Sequence, residues 1–280
     1  MERRPSYEPA STVIAMRRST NALSSRAPWV WAGVGALVGL ITVPAFLAPA
    51  HWLTYAIEQA SGDRIQLADP RGSLWNGSAQ LVLTGGEGSA DAVALPGRIN
   101  WQLRPTWRGG HAQVSADCCT RQPLAIALVL EGSQALQATL ADSQSEWPAA
   151  LLAGLGTPWN TIRPQGQLVI ATHQIGVQWT QGRLNLLGNL QLDATQISTR
   201  LSTLVPMGSY RVNLVGGETP TFQLSTQEGS LQLSGQGQWV GRALRFEGEA
   251  TAKPGRVEAL SNLLNIIGRR DGARSAIKVG

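Results

Sequence analysis

The sequence predicts a mainly β protein: a single N-terminal transmembrane helix followed by antiparallel β-sheet modules with a few short helices. Three observations predict it. Apolar residues recur with a period of two over most of the chain, as in Leu124, Ile126, Leu128 and Leu130, which is the pattern of a sheet with one wet face. Charged residues are only 15% of the 280, against ~25% in ordinary soluble domains. Gln, Ser, Thr and Asn carry the polar surface instead, and abundant Gly suits tight turns. Finally, residues 29–48, WVWAGVGALVGLITVPAFLA, contain no charged side chain, and at ~1.5 Å per residue such a stretch spans the ~30 Å of a bilayer's hydrocarbon core.

The apolar stretch divides the chain into a basic tail, 1–27, and a long remainder, with the anchor taken as 28–50. Arg3, Arg4, Arg17, Arg18 and Arg26 stand before it against Glu2 and Glu8. Positive flanks stay cytoplasmic, so the N-terminus is expected inside and the bulk of the chain in the periplasm, beyond an inner membrane. Trp29 and Trp31 suit one interfacial belt, and Trp52 and Tyr55 the other. Pro44 and Pro49 each remove a backbone donor and are tolerated in a membrane helix. Ala48-Pro49-Ala50 has a trace of a signal-peptide cleavage site, but the apolar run exceeds the usual ~7–15 residues and Pro sits within the site. The stretch is therefore read as an uncleaved anchor.

The net charge is +5. Most of it resides in the tail, and the exported part is nearly balanced. The basic pI thus gives no argument for nucleic acid, and no nucleic-acid partner is expected.

Residues 51–60 read as a helix stopped by Ser61-Gly62. A first β-module is placed at 51–144. Ile65 and Leu67 begin it. Asn76-Gly77 is the strongest turn signal, because both residues accept positive φ, and Gly72 is a second flexible point. Leu81 and Leu83 share a face, as do Ile99, Trp101 and Leu103, and then Leu124 to Leu130 and Leu136 to Leu140 by alternation. The turns between these strands are too short for crossover helices, so the pairs are antiparallel hairpins.

Residues 145–164 read as a short helix and connection, with Ser145 as N-cap, Pro148 in the first turn, Gly156 as the stop and a turn at 157–160. A second β-module follows at 165–280. Leu168 and Ile170 are in phase, Ile175, Val177 and Trp179 alternate, and so do Leu184, Leu186, Leu190 and Leu192. Residues 198–205 suggest a helical turn. Four more strands lie between 210 and 250. Residues 256–267 read as a helix with Val257, Leu260, Leu263, Leu264 and Ile267 on its apolar stripe, Gly268 as cap, and Arg269 and Arg270 complementing its carboxyl end. Residues 275–279 form a closing strand.

Little in the chain points to chemistry. His51, His111 and His173 have no partner at metal-ligand spacing. Gly85-Gly86-Glu87-Gly88 lacks the Lys and hydroxyl of a phosphate loop, and no G-x-S-x-G is present. No catalytic residue, metal site or cofactor is assigned. Cys118 and Cys119 are adjacent, so a bridge between them would be a vicinal disulfide, since ordinary disulfides join Cα atoms ~4.4–6.8 Å apart. A redox switch, an intermolecular bridge and two plain thiols remain open. Trp75, Trp101, Trp159, Trp179 and Trp239 are read first as core and second as a partner surface.

Several strings are more specific when taken together. Gly72-Ser73-Leu74-Trp75-Asn76-Gly77-Ser78-Ala79 resembles the G-[ST]-L-W-x-G-x-A signature of type II secretion system protein N. Leu155-Gly156-Thr157-Pro158-Trp159-Asn160-Thr161 resembles that family's mid-chain segment. Gly208-Ser209-Tyr210-Arg211 and the strand from Leu231 to Trp239 are similar to its later strands, and Leu263 to Arg270 to its closing helix. The resemblance covers residues 28–280. The tail is longer than the family's, and the paired cysteines have no place in it.

The resemblance implies an inner-membrane, single-pass component of the Gram-negative machine that moves folded proteins from periplasm to exterior. It implies no enzymatic step and no cofactor, and other secretion components as partners. The family-matched residues Gly72, Leu74, Trp75, Asn76 and Gly77 are read first as a turn that fixes the sheet and second as a contact point. The rival reading is periplasmic lipid binding or transfer, with the apolar rows 124–130 and 184–192 lining a groove.

Overall fold

The computed structural model describes residues 29–131, 135–180, 183–241 and 243–280. The basic tail falls outside them. The chain divides into two compact units, 1–46 and 47–280.

The apolar stretch forms helix α1, Trp29–Leu47, with no acidic residue in its first turn and no basic residue in its last. Trp29, Val30 and Trp31 are exposed, as are Leu37 and Leu40. Among the described residues no helix is long and apolar enough to cross a membrane. The side chains of residues 41 and 43–46 fall outside the described set.

The second unit opens with helix α2, His51–Ser61, which ends at Gly62 in the left-handed conformation (φ 60°), where the backbone N–H reaches back to Gln59 and Glu58. This is the stop expected of Ser61-Gly62. The strands that follow are β1 (Ile65–Gly72), β2 (Asn76–Thr84), β3 (Ala92–Ala94), β4 (Ile99–Thr106), β5 (Gly109–Ala116), β6 (Leu124–Glu131), β7 (Ala135–Leu140) and β8 (Ser143–Pro148). A 3₁₀ helix (Ala149–Leu155) and the single turn α3 (Trp159–Ile162) lead into the longest strands, β9 (Gln165–Thr180) and β10 (Arg183–Ser198). Then come β11 (Gly208–Gly217), β12 (Thr221–Gly229), β13 (Leu231–Val240), β14 (Ala243–Ala252), helix α4 (Ser261–Ile267), β15 (Arg269–Asp271) and β16 (Arg274–Val279).

These strands form one sixteen-stranded sheet, ordered β1-β2-β4-β5-β6-β7-β9-β10-β11-β12-β13-β14-β16-β15, with β3 beside β2 and β8 beside β9. Every described pairing is antiparallel, as short turns require. The two β-stretches of the sequence meet edge to edge: β7 pairs with the last third of β9, and β8 with its beginning.

One face of this sheet is apolar along its length. Direct cross-strand partners share a face. Leu103, Ala112, Ile126 and Leu140 are such a row, and Leu168, Ala194 and Tyr210 another. Among several shifts of register in the sheet, one falls inside β9. Register passes from Leu187–Gly176 to Asn189–His173, so β9 spends three residues where β10 spends two. Gln174 takes a positive φ (51°) there, opposite Gly188 (75°). A bulge of this kind inverts the alternation, so that Leu168 and Ile170 face the same way as Val177 and Trp179 despite their opposite parity.

What covers the apolar face comes from the connections. Leu53, Ile57 and Ala50 pack with Leu67, Ala79 and Trp101 at the β1 side. The 3₁₀ helix inserts Leu151 beside Leu95, Ala116 and Cys119. Trp147 packs against both this cluster and the largest one, which joins Leu168, Ile197, Tyr210 and Leu231 to Leu260, Leu263 and Leu264.

The connections are also where expectation and structure part. Residues 145–148 are strand rather than helix: Ser145 pairs with Ile170, and its hydroxyl accepts the Trp147 indole N–H at 2.8 Å instead of capping. The helix begins only after Pro148, and as a 3₁₀ helix. Residues 159–162 are a helical turn, where a simple turn was expected. Residues 199–207 are irregular and hold no helix. The closing helix is half the expected length, because 256–260 are turns. Gly268 is extended (φ −177°), and Arg269 and Arg270 enter β15 rather than the helix end.

On the polar face, Arg211 holds Asp193 with both ends of its guanidinium, Nε to Oδ1 at 2.6 Å and NH2 to Oδ2 at 2.9 Å. These bonds, with a further one from Gln191, hold the Asp193 carboxyl below its ordinary range, against partial desolvation. A depressed carboxylate stabilises the fold above the ordinary value of 3.8 and loses that contribution as pH falls through the folded value. Asp193→Asn should therefore flatten the acid limb of a urea-midpoint-against-pH curve; an unchanged limb would show that the pair is inert. In the core, Leu264 is fully buried. Leu264→Ala should cost about 2–5 kcal/mol in a denaturant titration; a loss near zero would mean that α4 is not held by this contact.

Candidate functional site

The family-like string forms the β1–β2 hairpin turn. Gly72 supplies the left-handed residue (φ 84°). Ser73 N–H donates to Asn76 O at 2.9 Å, and Asn76 N–H donates to Ser73 Oγ at 3.1 Å. Asn76-Gly77 was expected to be the turn, with positive φ at both residues. It is not: both already belong to β2, paired with Gln102 and Trp101. Glycine is required at 77 for closeness instead. A Cβ there would lie 2.5 Å from Trp101 Cζ2 and 2.8 Å from the carbonyl oxygens of Arg71 and Ser73.

The turn is bound from two sides. Trp101 is 3% exposed, and its indole N–H donates to Leu74 O at 3.0 Å. Leu103 N–H donates to Trp75 O at 2.7 Å. From the other side comes the segment between the helices: Leu74 N–H donates to Ala48 O at 2.7 Å, Ala50 N–H donates to Gly72 O at 3.2 Å, and Pro49 bridges Ser73. The five singled-out residues are thus together by lying in the one stretch 72–77, and their backbone groups fasten residues 48–50 onto the sheet. Leu74 and Trp75 are half-buried, while Gly72 and Asn76 are exposed.

Sequence reasoning missed the partners. Ala48–Ala50 carries no strand signal, and Arg98 none of a clamp. Arg98 nevertheless donates to Asp69 Oδ2 at 2.9 Å, to Asp69 O at 2.6 Å and to Ser78 Oγ at 3.2 Å, tying β1 to β2 just beside the turn. The Arg71 and Arg98 guanidiniums hold the Asp69 carboxyl below its usual range. A shallow cleft of about 370 Å³ opens on the polar side of the turn, lined by Asn76, Gly77, Asn100, Gln102 and Gln113 among others. Such a lining offers amide donors and acceptors to a partner's backbone or side chains.

Cys118 and Cys119 form a vicinal disulfide. Cys119 is buried; its N–H donates to Ala116 O at 2.9 Å and its carbonyl accepts Glu146 N–H at 2.8 Å, which ties the β5–β6 connection to β8. A cleft of about 620 Å³ beside it is lined by Asp142, Ser143, Thr172 and His173. Among the described residues no group of three or more His, Cys, Asp or Glu side chains is placed to hold a metal. Of the five tryptophans read as core, Trp101 is fully so, whereas Trp159 and Trp179 are exposed.

The site is thus a hairpin turn that Trp101 and residues 48–50 fasten to the sheet. The family model of type II secretion system (T2SS) protein N matches residues 63–277, and the chain belongs to that family. It is a type II secretion component. No curated protein and no solved structure matches it.

Gly77→Ala should force the turn away from Trp101 and cost about 1–3 kcal/mol, read as a lower urea midpoint. Asn76→Gly, whose position needs neither positive φ nor close approach, should cost less; a Gly77→Ala midpoint equal to wild type would refute the close-approach account.

Proposed function

We propose that the protein is a non-catalytic scaffold or adaptor of type II secretion, held in the inner membrane by α1, with the tail cytoplasmic and the sheet in the periplasm. The family match over the sheet is the observation that carries the reading. The uncharged α1 and the arginine-rich tail before it supply the anchor and its orientation. The disulfide suits an oxidising compartment. In this reading the Gly72–Gly77 turn is a contact point for another secretion component, with exposed Asn76 and the amide-lined cleft beside it as the surface offered.

Lipid carriage in an apolar groove draws less support. The apolar face is filled by the 3₁₀ helix, Trp147 and the 252–264 segment over much of its length, and the clefts beside the turn and the disulfide are lined largely by polar side chains.

Photocrosslinking in cells from position 76 tests the adaptor reading. Capture of an inner- or outer-membrane secretion component is expected, with loss of exoprotein secretion on deletion of the chain. Intact secretion in the deletion strain, or lipid as the captured species, would count against it.

A further inference from the structure

The apolar face is covered at one edge of the sheet and bare at the other. The hairpins β4–β5, β6–β7 and β9–β10 all turn at the same edge, because the strands between them are consecutive and antiparallel. At that edge Leu130 pairs with Leu136, Leu136 with Trp179 and Trp179 with Leu184, one residue from each of four adjacent strands, all on the apolar face. They are 50%, 41%, 53% and 65% exposed, whereas Leu168 and Leu192, further from this edge on β9 and β10, pack in the core. The row extends sideways into the β4–β5 turn: Leu130 N–H donates to Arg108 O at 2.8 Å, and beside Arg108 stands Trp107, fully exposed. A run of large apolar side chains on neighbouring strands, left open in this way, marks a contact surface rather than scattered exposure.

Charge and connectivity name the occupant. Arg108 stands beside Trp107 in the β4–β5 turn, and Arg104 lies near the end of β4. Among the described residues neither Arg104 nor Arg108 forms an ion pair with a carboxylate. The β1–β2 turn lies at this same edge, since Leu103, near the β4 end of the β4–β5 hairpin, bonds Trp75. Ala48, where the chain leaves α1, is hydrogen-bonded to that turn. The edge that bears exposed tryptophan, leucine and arginine is therefore the edge at which residue 48, the first after α1, joins the sheet. Tryptophan rings and arginines on an apolar rim are what a membrane–water interface with anionic headgroups takes up.

We propose that this edge, built on Trp107, Arg108, Leu130, Leu136, Trp179 and Leu184, rests in the anionic phospholipid interface of the membrane that α1 enters, and so lays the sheet against the bilayer. The proposal rests on the anchor reading of α1.

The test places a benzophenone amino acid at position 107, or at 184 as a second probe, in the full-length chain reconstituted into vesicles of phosphatidylethanolamine and phosphatidylglycerol. Gln223, exposed on the polar face, is the control position. Irradiation should give phospholipid adducts at 107 and 184, several-fold above those at 223, and replacing phosphatidylglycerol with phosphatidylcholine should lower the yield several-fold. Equal yields at all three positions, or a crosslink from 107 to a second copy of the chain, overturns the proposal. So does absence of lipid adducts while the chain still resists alkaline extraction, and that outcome leaves the anchor standing. Extraction of the chain by alkali removes the anchor and the proposal together.

Discussion

A very wide sheet with one apolar face must find cover for that face, and most of this structure follows from how the cover is supplied. A sandwich would bury one sheet against another, but here every strand belongs to the same sheet. The cover therefore comes from short connections: α2 against β1 and β2, the 3₁₀ helix and Trp147 in the middle, and Leu260 to Leu264 at the far side. Each is brief because it needs only to lay a few leucines on the face. Trp147 matters beyond its size, since it is the side chain that packs against both the central and the largest cluster.

The same constraint explains the bulge in β9. Sixteen residues of strict alternation in a strand paired on both sides would give a long, stiff ribbon. The extra residue at Gln174 bends it and keeps both ends facing inward. The change of neighbour falls at the same place: β7 pairs with one part of β9 and β8 with the other, and Gln174 N–H donates to Asp142 Oδ1 in the gap between them, at 2.6 Å. That bond holds the Asp142 carboxyl below its usual range, with a smaller contribution from His173.

Strands, faces and hairpins were legible in the sequence because period-two alternation is a local signal. The slip of parity between Ile170 and Val177 was visible too, though only as two runs out of phase. Joining the two β-stretches into one sheet was not legible, because β7–β9 pairing depends on no residue type that favours it over any other edge. The helices failed for a related reason. Ser145 and Pro148 look like a cap and a first turn, yet an unpaired stretch at the start of β9 takes 143–148 as a strand, and tertiary pairing outweighs the weak local preference. In the turn, Gly72 takes the positive φ expected also of Asn76-Gly77, while Gly77 makes room for Trp101. Two glycines five residues apart cannot be told apart by composition.

The turn and the bare apolar edge belong to one arrangement. Ala48 and Ala50 bond to the β1–β2 turn and Pro49 bridges Ser73, so residues 48–50 belong to the hairpin edge of the sheet. Large apolar residues at that edge call for cover that the described residues do not supply there. The sheet's opposite edge needs no such partner, because Leu151, Leu231 and Leu264 are covered by the chain itself. Exposure of Trp179 and Leu184 would be a liability in a freely tumbling sheet, and the proposed membrane contact would relieve it.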